Sequence, residues 1–255
     1  MTHRRTLVLA ALLWGVAALS APSESAEEIA RKARDRGALN LRDLTAEVKL
    51  TTTRGEKTKV QVLRTTAKEI DGRSHSLARF LAPPGVEGVM VLTIEGLKDE
   101  PDDISIYLPK LRRVRKVATS QRGQSFMDTD FNYADLAGTG AEHEGVKQLS
   151  DAKVDGRDAY VLDAVVRGES PYGKVTMRVD KESYVPLRVD YTDRDGRPFK
   201  HYEALKLRRF KGRILAAESV MRNLQSGSET RMEILRIDEG TLGDEAFTER
   251  ALERG

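Results

Sequence analysis

The chain has 255 residues, 33% of them charged and 39% apolar, with a net charge of +3 and no cysteine. A chain of that length can bury most of the surface its unfolded form exposes, so it can hold together without disulfides. Weak net charge and 5% aromatic content argue against a nucleic-acid partner, which needs cations for phosphates and rings for bases.

His3, Arg4 and Arg5 make a short basic start, followed by the thirteen-residue apolar run Leu7 to Leu19. Ala18, Ser20 and Ala21 then offer cleavage after Ser20. This is the three-part pattern of a secretory leader, and the run is short of the ~20 residues a spanning helix needs. The expectation is a leader over residues 1–20 and a mature chain over 21–255, working outside the cytoplasm. Loss of Arg4 and Arg5 leaves that mature chain at +1, and no cysteine is available for lipid attachment, so it is expected to be soluble.

Ser25 with Glu28 three residues on reads as a capping box, and Gly37 as a C-terminal cap. The helix between them has a thin apolar face, Ile29, Ala30 and Ala33, suited to lying against a larger body. From Leu41 the pattern turns to short alternation. Leu44, Ala46, Val48 and Leu50 share a face, as do Val60 and Val62 in the next run. Further alternation follows at Val175, Met177 and Val179, at Val185, Leu187, Val189 and Tyr191, at Leu205 and Leu207, and at Met232 and Ile234. Asp71-Gly72, Asp155-Gly156 and Asp195-Gly196 supply hairpin turns, because both residue types tolerate positive φ. The reading is one mainly β domain of about ten or eleven strands in a large antiparallel sheet.

Two runs, Val89 to Ile94 and Tyr160 to Val166, are apolar on both faces or nearly so. Such strands need cover on both sides, from a helix and other strands or from a lid over an apolar cavity. Ser120 to Glu144 shows no strand period, holds three glycines, and carries Phe126 and Phe131, two of only six phenylalanines. Long irregular insertions of this kind are often functional loops.

The blocks Tyr107-Leu108-Pro109, Arg112-Arg113-Val114-Arg115-Lys116 and Asp130-Phe131-Asn132-Tyr133-Ala134-Asp135-Leu136 resemble the outer-membrane lipoprotein-sorting family, the LolA-like carriers. Arg178-Val179-Asp180, Tyr184 to Val189, Asp195-Gly196, Arg222-Asn223, Thr230, Phe247-Thr248 and Leu252 continue the likeness in order. The resemblance implies a curved, half-open antiparallel β-barrel with helices covering the open side. It also implies a periplasmic carrier of lipid or lipoprotein acyl chains, moving cargo toward the outer membrane, with a resistance-nodulation-division (RND) permease as partner.

Such a carrier needs apolar area: burying an acyl chain gains ~0.8 kcal/mol per methylene. Met90, Leu92, Phe126, Met127, Phe131, Tyr133 and Leu136 are the candidate lining and lid, with ordinary core as the alternative. Five cations in Lys110 to Lys116 read as a solvated edge strand, or as a docking strip in which Arg112, Arg113, Arg115 and Lys116 meet an acidic permease or an anionic head group. Asp128-x-Asp130-x-Asn132 imitates half a calcium loop, but Tyr133 and Thr139 stand where glycine and glutamate belong. No metal or cofactor is expected. Gly123 to Met127 lacks the second glycine of a nucleophile elbow, so an enzyme is not expected, although a carboxylate-pair hydrolase stays open. A monomer that binds a permease and carries nothing is the other alternative.

Overall fold

The computed structural model describes residues 24–37, 41–96, 100, 102–136, 142–167, 170–240 and 242–254; the expected leader lies outside them. Among the described residues no helix is long and apolar enough to cross a membrane. Helix α1 (Ala26–Arg34) opens where expected, with the Ser25 hydroxyl accepting from the Glu28 N–H at 3.1 Å. That contact satisfies one of the orphan donors of the first turn. Its end comes earlier than Gly37: Asp35 closes the helix.

The strands are β1 (Leu44–Arg54), β2 (Lys57–Ile70), β3 (Arg73–Ala82), β4 (Met90–Ile94), β5 (Asp103–Leu108), β6 (Arg113–Lys116), β7 (Glu142–Val154), β8 (Arg157–Arg167), β9 (Tyr172–Asp180), β10 (Pro186–Asp193), β11 (Pro198–Phe210), β12 (Arg213–Asn223) and β13 (Ser228–Glu239). Two short helices, α2 (Tyr133–Leu136) and α3 (Glu249–Arg254), complete the elements that matter here. The strands form one antiparallel, open sheet in the order β6-β5-β4-β3-β2-β1-β13-β12-β11-β10-β9-β8-β7. The first and last strands of two meanders pair at β1 and β13, leaving β6 and β7 as free edges.

Among the described residues there are thirteen strands, more than expected, because edge strands such as Arg113–Lys116 carry little apolar alternation to read. Asp71-Gly72 and Asp155-Gly156 do turn with positive φ at both residues, whereas at Asp195-Gly196 only the glycine is positive. Lys211-Gly212 makes a further such turn between β11 and β12, which lysine does not announce in sequence.

One face of the sheet, termed inner, carries the main core. Leu44, Ala46, Val48 and Leu50 lie on it, with Leu63, Phe80, Val91, Val175, Tyr202 and Met232 from other strands. On β2 the expectation is reversed: Val60 is 47% exposed, and Gln61 and Leu63 point inward instead. The outer face has its own cluster on β3 to β5, where Leu77, Met90, Leu92 and Tyr107 lie beneath Phe247, two residues before α3, and Leu252 within it. This explains the two-faced run Val89 to Ile94. In the run Tyr160 to Val166 one face is covered throughout, with α1 packed on Leu162, whereas on the other Val161 is buried but Val165 is 56% exposed.

The helix α1 sets Ile29, Ala30 and Ala33 against Leu162 and Val179, and Met177 joins that cluster to the main core. So α1 and α3 occupy opposite faces and do not jointly cover one open side. The centre of the inner face is filled by the segment between β6 and β7.

Candidate functional site: a segment clamped across the inner face

After β6 the chain crosses the inner face through residues 117–136. Phe126 and Phe131 are buried in the main core. The Phe126 ring lies 5.6 Å from that of Phe80 on β3 and 5.7 Å, edge-on, from that of Tyr133. The segment closes on itself, because the Phe126 N–H donates to the Phe131 carbonyl at 2.7 Å. The Thr129 hydroxyl donates to the Phe126 carbonyl at 2.7 Å as well. At the tip, Met127 and Asp128 both take left-handed backbone conformations, φ 47° and 68°, which non-glycine residues adopt only when surroundings enforce them.

Those surroundings are cationic. Arg54, the last residue of β1, donates to Asp128 Oδ1 at 2.7 Å, and Lys59 on β2 donates to Asp128 Oδ2 at 3.2 Å. Lys59 and the Gln61 amide also reach the Met127 carbonyl, at 3.2 and 3.3 Å. The Arg54 guanidinium holds the Asp128 carboxyl below the usual carboxylate range.

Deeper in, one buried lysine gathers the rest. Lys200 Nζ on β11 donates to the Asp130 carbonyl at 2.6 Å, Asn132 Oδ1 at 2.8 Å and the Tyr172 hydroxyl at 3.2 Å. Asp135 Oδ2 lies 3.7 Å away, with both side chains almost fully buried. Removal from water pulls the Lys200 ammonium below its ordinary pKa, against the opposing pull of Asp135 and Asp130. The Tyr172 hydroxyl donates to Asp135 at 3.0 Å and accepts from Asn132 Nδ2 at 3.1 Å; burial raises its pKa well above 10. The Asp130 carboxylate accepts from the Ser228 and Thr230 hydroxyls of β13, and its own N–H donates to Thr230 at 2.9 Å.

Tyr172 faces inward because of a bulge. The pairing with β10 slips between Lys174 and Tyr172, and a Cβ on the intervening Gly173 would lie 2.5 Å from the Asp193 carbonyl oxygen. Only glycine permits that approach. The clamp also bends the sheet. Phe80 and Tyr172 stand on strands seven spacings apart, roughly 34 Å in a flat sheet at ~4.8 Å per spacing. One self-closed loop contacts both, and side chains that stand up from a sheet add little lateral reach. The sheet therefore curls around the segment.

A family model described only as a "-like" uncharacterized protein matches residues 72–254. A domain described as a candidate for outer membrane lipoprotein sorting, from Vibrio parahaemolyticus, superposes at a TM-score of 0.79 and 26% identity, over 90% of this chain and 100% of that one. A DUF1329 family protein from Desulfovibrio piger gives 0.79 at 24% identity, over 89% and 97%. A LolA superfamily protein from Nitrosomonas europaea gives 0.68 at 18%, over 89% and 98%. The chain belongs to the LolA-like family. A comparison with curated proteins finds no match.

Within this LolA-like protein the expected lining residues separate. Phe126, Met127, Phe131 and Tyr133 come together on the inner face. Met90 and Leu92 do not join them; they lie on the outer face under Phe247 and Leu252. The Leu136 side chain lies outside the described residues. Of the basic residues, Arg113, Arg115 and Lys116 sit on edge strand β6 and Arg112 in the turn before it, with φ 48°. Lys116 is engaged internally, 2.7 Å from Asp103 and 3.2 Å from Glu249 of α3. Arg115 donates to the Gln121 side chain at 3.0 Å. Among the described residues no group of three His, Cys, Asp or Glu could hold a metal.

Sequence reading missed Lys200, Tyr172, Ser228, Arg54, Lys59 and Gln61, and gave Thr230 no role beyond the family likeness. For Lys200 a signal existed: it shares strand parity with Tyr202, a large residue facing the core.

Proposed function

We propose that this LolA-like protein is a periplasmic carrier, a single domain after its leader, that shelters lipid or lipoprotein acyl chains under the curled inner face of its sheet. The observation that carries the reading is the inner-face segment itself. Phe126, Phe131 and Tyr133 supply apolar bulk where cargo would sit, yet a countable set of polar links holds them there. Filler attached in that way can be exchanged for other apolar matter at little net change in exposed surface. The likeness to a candidate lipoprotein-sorting domain points the same way. Delivery toward the outer membrane with an RND permease, and docking of head group or permease through Arg112, Arg113 and Arg115, complete the proposal. Lys116 is left to its internal partners.

Protein recovered from the periplasm without detergent, extracted with organic solvent and examined by mass spectrometry, is expected to yield acyl-bearing material near one equivalent. An extract free of such material, from protein that still binds a permease, would favour the second reading, an adaptor without cargo. The completely buried Phe126 lends that second reading its support.

A further inference from the structure

The inner face is graded along its strands. On β1 the inward residues run Leu44, Ala46, Val48, Leu50, Thr52 and Arg54, from apolar to charged. The neighbours follow in register: Met232 and Thr230 of β13 face Leu50 and Thr52, and Leu63, Gln61 and Lys59 of β2 face Val48, Leu50 and Thr52. The clamped segment repeats this gradient. Its rings lie by Phe80 at the apolar part, and its carboxylates, Asp128 and Asp130, lie at the polar end. Arg54 and Lys59 remain partly exposed there, at 46% and 36%, so solvent and solutes reach them. Gln61 beside them is fully buried, and its Oε1 has no hydrogen-bond partner among the described residues.

We infer that the segment is an internal stand-in for the ligand, and that the cargo is an amphiphile with an anionic oxygen head, carboxylate or phosphate, whose head takes Arg54 and Lys59 from Asp128. This rests on the carrier reading and narrows its cargo. Exchange of one anion for another at the same two cations leaves no charge unpaired, and the strained Met127-Asp128 tip relaxes on leaving. A neutral or cationic head would leave both cations without a partner or repelled.

The test is calorimetric titration of the full mature chain with a matched dodecyl series: dodecanoate, dodecyl phosphate, neutral monododecanoyl glycerol and dodecyltrimethylammonium, with inorganic phosphate alone as a further arm. The two anionic amphiphiles are expected to bind about tenfold more tightly than the neutral one, and the cationic one least. Asp128→Asn removes the internal competitor and should raise the affinity of the anionic and neutral ligands alike, roughly threefold, because either must displace the segment from the same two cations. Arg54→Ala with Lys59→Ala should abolish the preference and keep neutral binding. Equal affinity across the series overturns the inference but leaves the carrier reading standing. So does inorganic phosphate binding as tightly as dodecyl phosphate, which would mark a surface anion site alone. If no amphiphile binds at all, the carrier reading falls and this inference with it. Circular dichroism of each variant confirms the fold, since all three positions are at least partly exposed.

Discussion

Beside α1, two segments cover opposite faces of this sheet, and they are held by different physics. On the outer face Phe247 and Leu252 cover Leu77, Met90, Leu92 and Tyr107 with apolar contact, and ion pairs such as Lys116 with Glu249 stay at the rim. On the inner face the rings of Phe126 and Phe131 are accompanied by a buried polar cluster around Lys200. Apolar contact is non-directional and lost in proportion to area. Polar links are discrete, and breaking one leaves its buried partner unsatisfied. The outer cap therefore behaves as permanent structure, and the inner segment as something with a latch.

The sharpest way to break that contrast is Lys200→Met. The substitution keeps length and removes the donor from the Asp130 carbonyl, Asn132, Tyr172 and Asp135 together. A loss of about 3–5 kcal/mol is expected, the range for removing one partner of a buried ion pair. Hydrogen exchange should rise in residues 125–135 before it rises elsewhere. Urea unfolding and peptide-level exchange read both. Leu252→Ala should cost about 2–4 kcal/mol through the cavity it leaves, with exchange in 125–135 unchanged. Faster exchange on both faces in that variant would show the two caps to be coupled.

The two caps also differ in how legible they were. The doubly apolar run Val89 to Ile94 announced cover on both faces, and the C-terminal Phe247 and Leu252 provide it on the outer one. What the run could not say is which face each residue takes, since one step of register exchanges them. Met90 and Leu92 were placed inward for that reason. The block from Asp130 to Leu136 was recognised by pattern, but its purpose lies in partners 40 to 100 positions away, Tyr172, Lys200 and Thr230. Such contacts follow from sheet order and from the Gly173 bulge, neither of which local periodicity encodes. Alternation did mark the β1 face correctly, because local burial alone decides it.

Alkaline pH probes the inner face from another side. Burial holds the phenols of Tyr172 and Tyr191 well above 10 and pushes that of Tyr202 up to about 12. Folded pKa values raised above the unfolded ones give stability that is complete below pH 10 and is lost as pH climbs through the folded values. The lowered Lys200 pKa acts oppositely, since the unfolded chain holds that proton longer. The three phenols therefore lower stability above pH 10 while Lys200 opposes them, and urea unfolding at pH 8 and pH 10.5 reads the balance. The sole tryptophan, Trp14, falls in the expected leader, so tyrosinate absorbance reports cleanly. Those three tyrosines should titrate only as the protein unfolds. A smooth titration of all seven tyrosines with the fold intact would contradict the burial assigned to them.

The smallest effect on folding is expected where the two regions meet, at edge strand β6. Lys116 ties this strand to α3 on the outer side, and the Arg115 charge acts on Tyr133 of the inner segment. Reversal of Arg112, Arg113 and Arg115 to glutamate should change stability by no more than about 0.5 kcal/mol, because no buried partner depends on them. The same variant should lose most of its association with vesicles rich in anionic phospholipid. Each cation near such a surface contributes about 1 kcal/mol, so three reversals amount to a hundredfold or more. Lys116→Ala should do the converse, loosening α3 slightly while vesicle association persists. Sedimentation with vesicles at two salt concentrations separates the cases, since surface attraction is screened and internal pairing much less so. If the triple reversal sediments like the parent protein, the strip is only a solvated edge that keeps β6 from pairing with another chain.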